Sequence, residues 1–174
     1  MTATAIERPR EGEFNPHHAT YVAIVPSGDI LSVLARQPEE LRSMLGGMDA
    51  RRAGHRYAPG KWSIREVIGH LADAERVFCY RGLTIARNDR TSLPPFDENA
   101  WVEQARFDSR TLSDLLTELA SVRAATLDLF SHLSPQELAR VGTASGKPLS
   151  ARAVPYIIAG HTEHHIRILR DRYL

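Results

Sequence analysis

The chain has 174 residues, of which 43% are hydrophobic and 25% charged, as expected for one globular domain with a filled core. Its formal net charge is +1, and the basic residues are scattered, so neither a nucleic acid nor a membrane is expected as a partner. Cys79 is the single cysteine, which excludes an internal disulfide and cysteine-rich zinc modules.

Residues 1–24 are predicted to form an N-terminal arm, and residues 25–174 a single helical domain. The arm lacks hydrophobic periodicity and contains several Pro and Gly residues, so we expect it to be a loose cap. It includes the adjacent His17 and His18, which are given little weight as ligands. Its charged residues stand where a signal peptide has an apolar run, and no segment approaches transmembrane length, so we expect a cytoplasmic protein.

The first half of this domain predicts two long helices. The first runs from about Ser27 to Gly46 or Gly47, and Pro38 is expected to kink or split it. The second has the clearest start in the chain, because the residues 63–66 (SIRE) read as a capping box, and it continues to about Arg87.

The second half predicts two more helices. Pro94 and Pro95 predict an extended loop that leads to Trp101. A third helix is expected from about Ser109 or Thr111 to His132, followed by a short extra turn that opens at Ser134. Residues 142–148 are read as a loop, and the last helix runs from near Ser150 to about Arg172. Four helices with almost no strand pattern predict an all-α four-helix bundle.

The last helix carries the strongest chemical signal. On a helical wheel His161 and His165 lie about 20° either side of the centre of the apolar stripe, whereas His164 lies about 80° away. Residues four apart leave the same face about 6 Å from each other, so both rings can reach one divalent cation. The alternative is that each ring has its own protein partner. One metal ion satisfies both rings, and we therefore favour metal ligation.

The second helix carries three further candidates. His70 lies about 90° from the centre of its apolar stripe, where a boundary histidine fits slightly better than a ligand. Glu75 lies on the apolar side, so it pairs with an arginine, supports a histidine or faces a subunit interface. Asp73 is one turn from His70, and its simplest interpretation is a solvated side chain. The candidates for residues that contact the metal ligands and orient them, without binding the metal, are Glu75, Asp73 and His164.

Two motifs resemble those of the DinB-like superfamily. Residues 57–75 (YAPGKWSIREVIGHLADAE) look like its signature helix, and residues 160–166 (GHTEHHI) match its closing H-x-x-H-H motif. The resemblance covers about residues 25–174. It implies a four-helix bundle with up-down-down-up topology, a metal held by His70, His161 and His165, and a homodimer. Characterised relatives include S-transferases that use bacillithiol or mycothiol, and a mycothiol-dependent maleylpyruvate isomerase.

The leading hypothesis is therefore a metal-dependent enzyme, either a thiol S-transferase or a hydrolase, acting on a small electrophilic substrate. Zinc is the favoured metal, and nickel, iron or manganese also fit imidazole ligands. A low-molecular-weight thiol is a candidate cofactor. No catalytic residue is assigned, and Cys79 is a minor option as a nucleophile, since its position is that of a core residue.

The alternative is a non-catalytic, stress-related protein that binds metal or a partner. A structural metal site is normally closed by a fourth protein ligand. His164, Glu75 or an arm histidine would supply it.

Overall fold

Four long helices dominate the computed structural model, which describes residues 5–174. The α-helices are α1 (Ala19–Ile24), α2 (Ile30–Leu45), α3 (Ala50–Ala53), α4 (Ile64–Ala86), α5 (Glu98–Ala105), α6 (Leu112–Ser131), α7 (Pro135–Leu138) and α8 (Ala153–Arg172). Two single 3-10 turns (Pro16–His18 and Phe107–Ser109) and one hairpin of β1 (Val141–Ala144) and β2 (Lys147–Ser150) complete these elements. Among the described helices, none is long and apolar enough to cross a membrane.

The bundle consists of α2, α4, α6 and α8, and each of α2 and α4 packs against both α6 and α8. Helices α4 and α6 are parallel, because contacts advance together along both: Glu75 binds Arg123, and Gly82 packs on Phe130. The connection across residues 87–111 returns the chain along the length of the bundle to make this possible.

Helices α2 and α8 are also parallel to each other. Gln37 Nε2 donates to the Ala159 carbonyl (2.8 Å), and further along both helices Arg170 pairs with Glu40. The end of α8 lies beside the start of α4, where Tyr173 Oη donates to the carbonyl of Trp62 (2.6 Å). The predicted bundle, up-down-down-up, is therefore the observed one.

The helix starts follow the predicted capping signals. Ser63 Oγ accepts from the amide of Glu66, and the Glu66 carboxylate accepts from the amide of Ser63 (2.7 Å), which is the predicted capping box of α4. Thr111 caps α6 through the amide of Asp114, and Ser134 caps the extra turn α7. These caps satisfy amides that the first helical turn leaves without partners.

Pro38 does not split the first helix, which is one of the two outcomes predicted for it. Helix α2 begins at Ile30, after its cap Asp29, and continues through Pro38 to Leu45. Proline cannot donate to the carbonyl four residues earlier, which is that of Leu34. Arg123 Nη1 donates to this carbonyl instead (2.7 Å), so the acceptor that proline leaves open is satisfied from another helix.

The N-terminal segment is not the loose cap that its composition predicts. Helix α1 packs on α8, Tyr156 Oη of α8 donates to the carbonyl of Ile6 (2.9 Å), and Ile6, Val22 and Val25 are buried. A Cβ at Gly160 would overlap the carbonyl of Tyr21, so glycine permits the close approach of α1 to α8.

Two further predictions of loops are corrected. Residues 142–148 lie within the hairpin of β1 and β2, whose two-residue turn is formed by Ser145 and Gly146, both with positive φ. Such a turn matches the twist of paired strands. The connection after α4 is extended at Pro94 and Pro95 as predicted, but Trp101 lies in the additional helix α5.

A buried ion pair joins the helices at the centre of the bundle. The guanidinium of Arg123 donates twice to Glu75 (2.8 and 2.9 Å), and both side chains are 2% exposed. The same guanidinium donates to Gln37 Oε1 and Thr162 Oγ1. The charge of each partner is thus compensated within the buried core.

We expect Arg123→Met to destabilise the protein by about 3–5 kcal/mol, because it leaves the Glu75 carboxylate buried without its partner. Urea denaturation followed by circular dichroism measures the change in the free energy of unfolding. The double variant Arg123→Met/Glu75→Met should recover a large part of the loss, since it removes both charges.

Arg110→Met is the matched control. Arg110 pairs with Asp114 and Glu118 at the surface, where an ion pair contributes about 1 kcal/mol or less. Equal losses in the Arg123 and Arg110 variants would contradict a structural role for the buried pair.

Candidate metal centre

Three imidazole rings converge between α4 and α8. His161 Nε2 lies 3.1 Å from His70 Nε2 and 3.2 Å from His165 Nε2, and the three ligand atoms lie within 4.8 Å of one another. Nitrogens bound to one zinc ion at about 2.0–2.1 Å are themselves about 3–3.5 Å apart. Within residues 5–174 these three side chains form the group whose spacing fits a metal ion.

Hydrogen bonding among the rings does not account for this geometry. A neutral imidazole has one N–H and one lone pair, so Nε2 of His161 is either a donor or an acceptor but faces two other nitrogens. One of its two short contacts is then left poorly satisfied. In addition, Nδ1 of His165 is buried without a partner among the described residues. A cation that accepts all three Nε2 lone pairs removes the conflict, so the donor set fits a divalent metal.

The rings are held in the neutral state that a metal requires. Burial lowers the pKa of His70 to about 4. Burial, and then the neighbouring imidazoles, hold the pKa values of His161 and His165 well below the ordinary range. Each ring therefore keeps one nitrogen lone pair available for a metal at neutral pH.

Packing from outside the two helices orients the rings. The indole of Trp62 lies 4.6 Å from the His70 ring and stacks beside His165 at 6.4 Å, measured between centroids. Trp62 is tied to the end of α8 by Tyr173. On α4, Gly69 leaves room for the Phe107 ring, which a Cβ would overlap.

The three nitrogens border a cavity of about 330 Å³ that is open to solvent. Its apolar walls include Trp62, Phe78 and Phe96, and its polar lining includes Tyr21 and Arg81. A small molecule in this cavity would have one end near the histidines.

The structure brings together His70, His161 and His165 but leaves the other three candidates outside the cluster. Glu75 uses both carboxylate oxygens on Arg123 and also accepts from Thr126, so it does not support a histidine. Of its three predicted roles, the arginine pair is the observed one.

Asp73 and His164 do not act on the three nitrogens in the predicted way either. Asp73 pairs with Arg76 at the surface. His164 lies beside His165, with ring centroids 5.3 Å apart, and lines the cavity. Its ring is a neighbour of the cluster and a part of the cavity wall.

Sequence reasoning missed the contribution of the N-terminal segment. Tyr21 packs its ring against His161 and His164, each at 5.4 Å between centroids. His18 lines the same cavity, its Nδ1 is buried without a described partner, and burial, with smaller effects from His17 and Arg81, lowers its pKa to about 4. The His17-His18 pair was the available signal, but nothing in its local pattern indicated that this segment folds onto α8.

Three comparisons with known proteins agree with one another. The family model of the DinB superfamily matches residues 34–169. A protein of Geobacillus thermodenitrificans, provisionally named a metal-dependent hydrolase, is 28% identical over 153 residues, which cover 82% of this chain and 83% of the relative. YfiT of Bacillus subtilis, with the same provisional name, is 24% identical over 140 residues and covers 80% of this chain and 77% of its own length.

Two solved structures share the fold. YfiT, described as having an unusual four-helix bundle topology, superposes with a TM-score of 0.74 at 21% identity over 94% of this chain and 92% of its own. The mycothiol-dependent maleylpyruvate isomerase superposes with a TM-score of 0.62 at 18% identity over 83% of this chain and 60% of its own.

Cys79 is a poor nucleophile in this structure. It is half-buried with Sγ 3.1 Å from Thr126 Oγ1, and burial raises its pKa to about 11. Because the thiolate is the reactive form, we expect alkylation by iodoacetamide at pH 8 to be roughly 100-fold slower than for an ordinary cysteine. The rate should rise about tenfold per pH unit until the thiol ionises.

Mass spectrometry of the intact protein measures this rate. The control is the same chain unfolded in urea, in which Cys79 should react at the ordinary rate. Rapid alkylation of the folded protein that does not change between pH 7 and 9 would show that the thiol is already ionised.

Proposed function

This chain belongs to the DinB superfamily, and from that premise we propose that it is a metal-dependent enzyme of the hydrolase type acting on a small electrophilic substrate. The observation that carries the proposal is the convergence of three neutral ring nitrogens beside an open cavity. The provisional names of the relatives agree with it.

His70, His161 and His165 would hold the metal, and zinc is the favoured ion, with nickel, iron or manganese as alternatives. A divalent ion bound by three neutral imidazoles supplies a Lewis acid and lowers the pKa of a bound water or thiol. Within the described residues no fourth side chain joins the cluster, which favours a catalytic site over a closed structural one.

The cavity residues provide the surroundings for this chemistry. Trp62 and Phe78 line the cavity with apolar surface, on which the apolar part of a substrate can pack. Burial, and then the charge of Glu98, raise the pKa of Tyr21, so its Oη stays protonated and can donate a hydrogen bond to the substrate. Burial, and then the charge of Arg167, lower the pKa of His164, so its imidazole favours the neutral form, whose free ring nitrogen can accept a hydrogen bond from the substrate.

A thiol S-transferase is the second candidate function. The observation in its favour is the structural likeness to an isomerase that depends on mycothiol. The same three nitrogens and the same cavity would serve, with a thiol replacing water as the nucleophile. The two candidates therefore differ in one measurable property, the requirement for an added thiol.

We expect His161→Ala to lose its metal, because His161 Nε2 is the nitrogen in short contact with both of the others. Loss of a residue that only hydrogen-bonds to a metal ligand lowers metal affinity roughly 10- to 100-fold. Loss of the ligand His161 itself should lower zinc affinity by more than this. Inductively coupled plasma mass spectrometry of dialysed protein measures the bound metal, and circular dichroism checks that the variant is folded.

His164→Ala is the matched control, since it removes a neighbouring imidazole on the same helix without removing a converging nitrogen. It should retain the metal. Full metal content in folded His161→Ala would refute the proposed ligand set.

The proposed activity is tested on metal-free protein reloaded with zinc, nickel, iron or manganese, using p-nitrophenyl esters with and without an added low-molecular-weight thiol. A hydrolase needs the metal alone, and a transferase needs both metal and thiol. His165→Ala should abolish turnover, whereas the surface variant His132→Ala should leave it unchanged. Turnover that is equal in metal-free and reloaded protein would refute both candidates.

A further inference from the structure

The metal-centre cavity contains a buried cation, Arg81, that forms no ion pair with a carboxylate in the described part of the chain. Two arginines are buried in the described part of the chain, Arg81 and Arg123, with 4% and 1% of the whole residue exposed. Arg123 is neutralised by two hydrogen bonds to Glu75. Arg81, by contrast, has no carboxylate within 4.0 Å among residues 5–174, and its protein acceptors there are neutral oxygens.

The guanidinium of Arg81 keeps part of its donor capacity free. Its Nη2 donates to the carbonyl of Pro94 (2.8 Å) and to Ser145 Oγ (3.2 Å). Its Nε and Nη1 donate to no described residue, and neither is sealed from solvent. In a guanidinium the parallel N–H groups belong to Nε and Nη2 or to Nη1 and Nη2, so the free Nε and Nη1 of Arg81 each offer one charge-assisted hydrogen bond to a carboxylate oxygen.

Helical geometry directs Arg81 and His70 into the same cavity. They are eleven residues apart on α4, which is three turns and about 20° of rotation, so both lie on one face with Ala74 and Phe78 between them. All four residues line the cavity, as does the Ser145 that Arg81 contacts. Side chains on a helix lean towards its N-terminus, so the guanidinium extends towards the histidines.

The surroundings favour a charged ligand over water. The guanidinium carbon lies 5.7 Å from the centre of the Phe78 ring and 5.8 Å from that of Phe96. An ionic hydrogen bond is stronger beside apolar aromatic surface than in bulk water, and a largely buried charge without an ion-pair partner is costly. An anion placed between Arg81 and the metal ligands would remove this cost.

We propose that Arg81 binds a carboxylate group of the substrate and so determines which molecules enter the site. The substrate class is a small monocarboxylate whose apolar body lies along Phe78 and Phe96 and whose reacting group reaches the three histidines. Glu98 also borders the cavity and disfavours more highly charged anions such as phosphates. This inference rests on the proposed function, since it names the substrate class of that same site.

The test compares benzoate, phenylacetate and 3-phenylpropanoate with their neutral amides by isothermal titration calorimetry, on zinc-loaded and on metal-free protein. At least one carboxylate should bind roughly 10- to 100-fold more tightly than its amide in both forms, because charge-assisted hydrogen bonds are lost in the amide. Arg81→Met, which keeps the length of the side chain, should remove this preference.

Two control variants separate binding from structural support. Ser145→Gly removes a hydrogen bond of Arg81 but not its charge, and should keep the preference; glycine readily adopts the positive φ of this position. Arg87→Met removes a charge at the end of α4, where Arg87 pairs with Glu137, and should also keep it. Melting temperatures report whether any variant is globally destabilised.

Three results would overturn the proposal. The first is equal binding of acids and amides, and the second is a preference for the acid that survives in Arg81→Met. The third is a preference for the acid in zinc-loaded protein but not in metal-free protein, which would assign the carboxylate to the metal. The inference and the proposed function can fail separately. If metal-free protein prefers the acid through Arg81 but shows no turnover after it is reloaded with metal, the inference is sustained and the proposed function is refuted.

Discussion

The central constraint in this fold is the hydrogen bonding of one buried guanidinium. Arg123 on α6 binds Glu75 on α4, the carbonyl of Leu34 and the amide oxygen of Gln37 on α2, and the hydroxyl of Thr162 on α8. Apolar contacts have no preferred direction, whereas these hydrogen bonds require one relative position of their donors and acceptors. The four helices are therefore held in one axial register by a polar centre within an otherwise apolar core.

The metal centre depends on this register. Thr162 directly follows His161, and Gln37, held by Arg123, donates to the carbonyl of Ala159 two residues before it. Glu75 lies on α4 a little more than one turn beyond His70. The same network thus fixes both helices that carry the converging nitrogens. Because an axial shift of one residue is 1.5 Å, about half the observed separation of the Nε2 atoms, a loosened network would spread the ligands apart.

What the sequence could predict corresponds to interactions between near neighbours in the chain. The capping box of α4 and the common face of His161 and His165 involve residues three and four apart, and helical geometry alone determines both. The packing of the N-terminal segment on α8 involves residues more than 100 positions apart, as does Tyr21 beside His161. The continuation of α2 through Pro38 also depends on a residue far away in the sequence, since the donor to the Leu34 carbonyl is Arg123 of α6.

His70 shows why periodicity predicts a metal centre only in part. A helical wheel measures distance from the centre of the apolar stripe, and a ligand at the seam between two helices belongs at the edge of that stripe, as His70 does. Its burial comes from Trp62, before the helix begins, and from the neighbouring α8. Gly69 and Gly160 each precede a converging histidine, and each admits another element against its helix, Phe107 in one case and the backbone of Tyr21 in the other. The absence of a Cβ at these two glycines therefore allows neighbouring elements to pack closely around the three histidines. A pattern of apolar side chains does not reveal this packing.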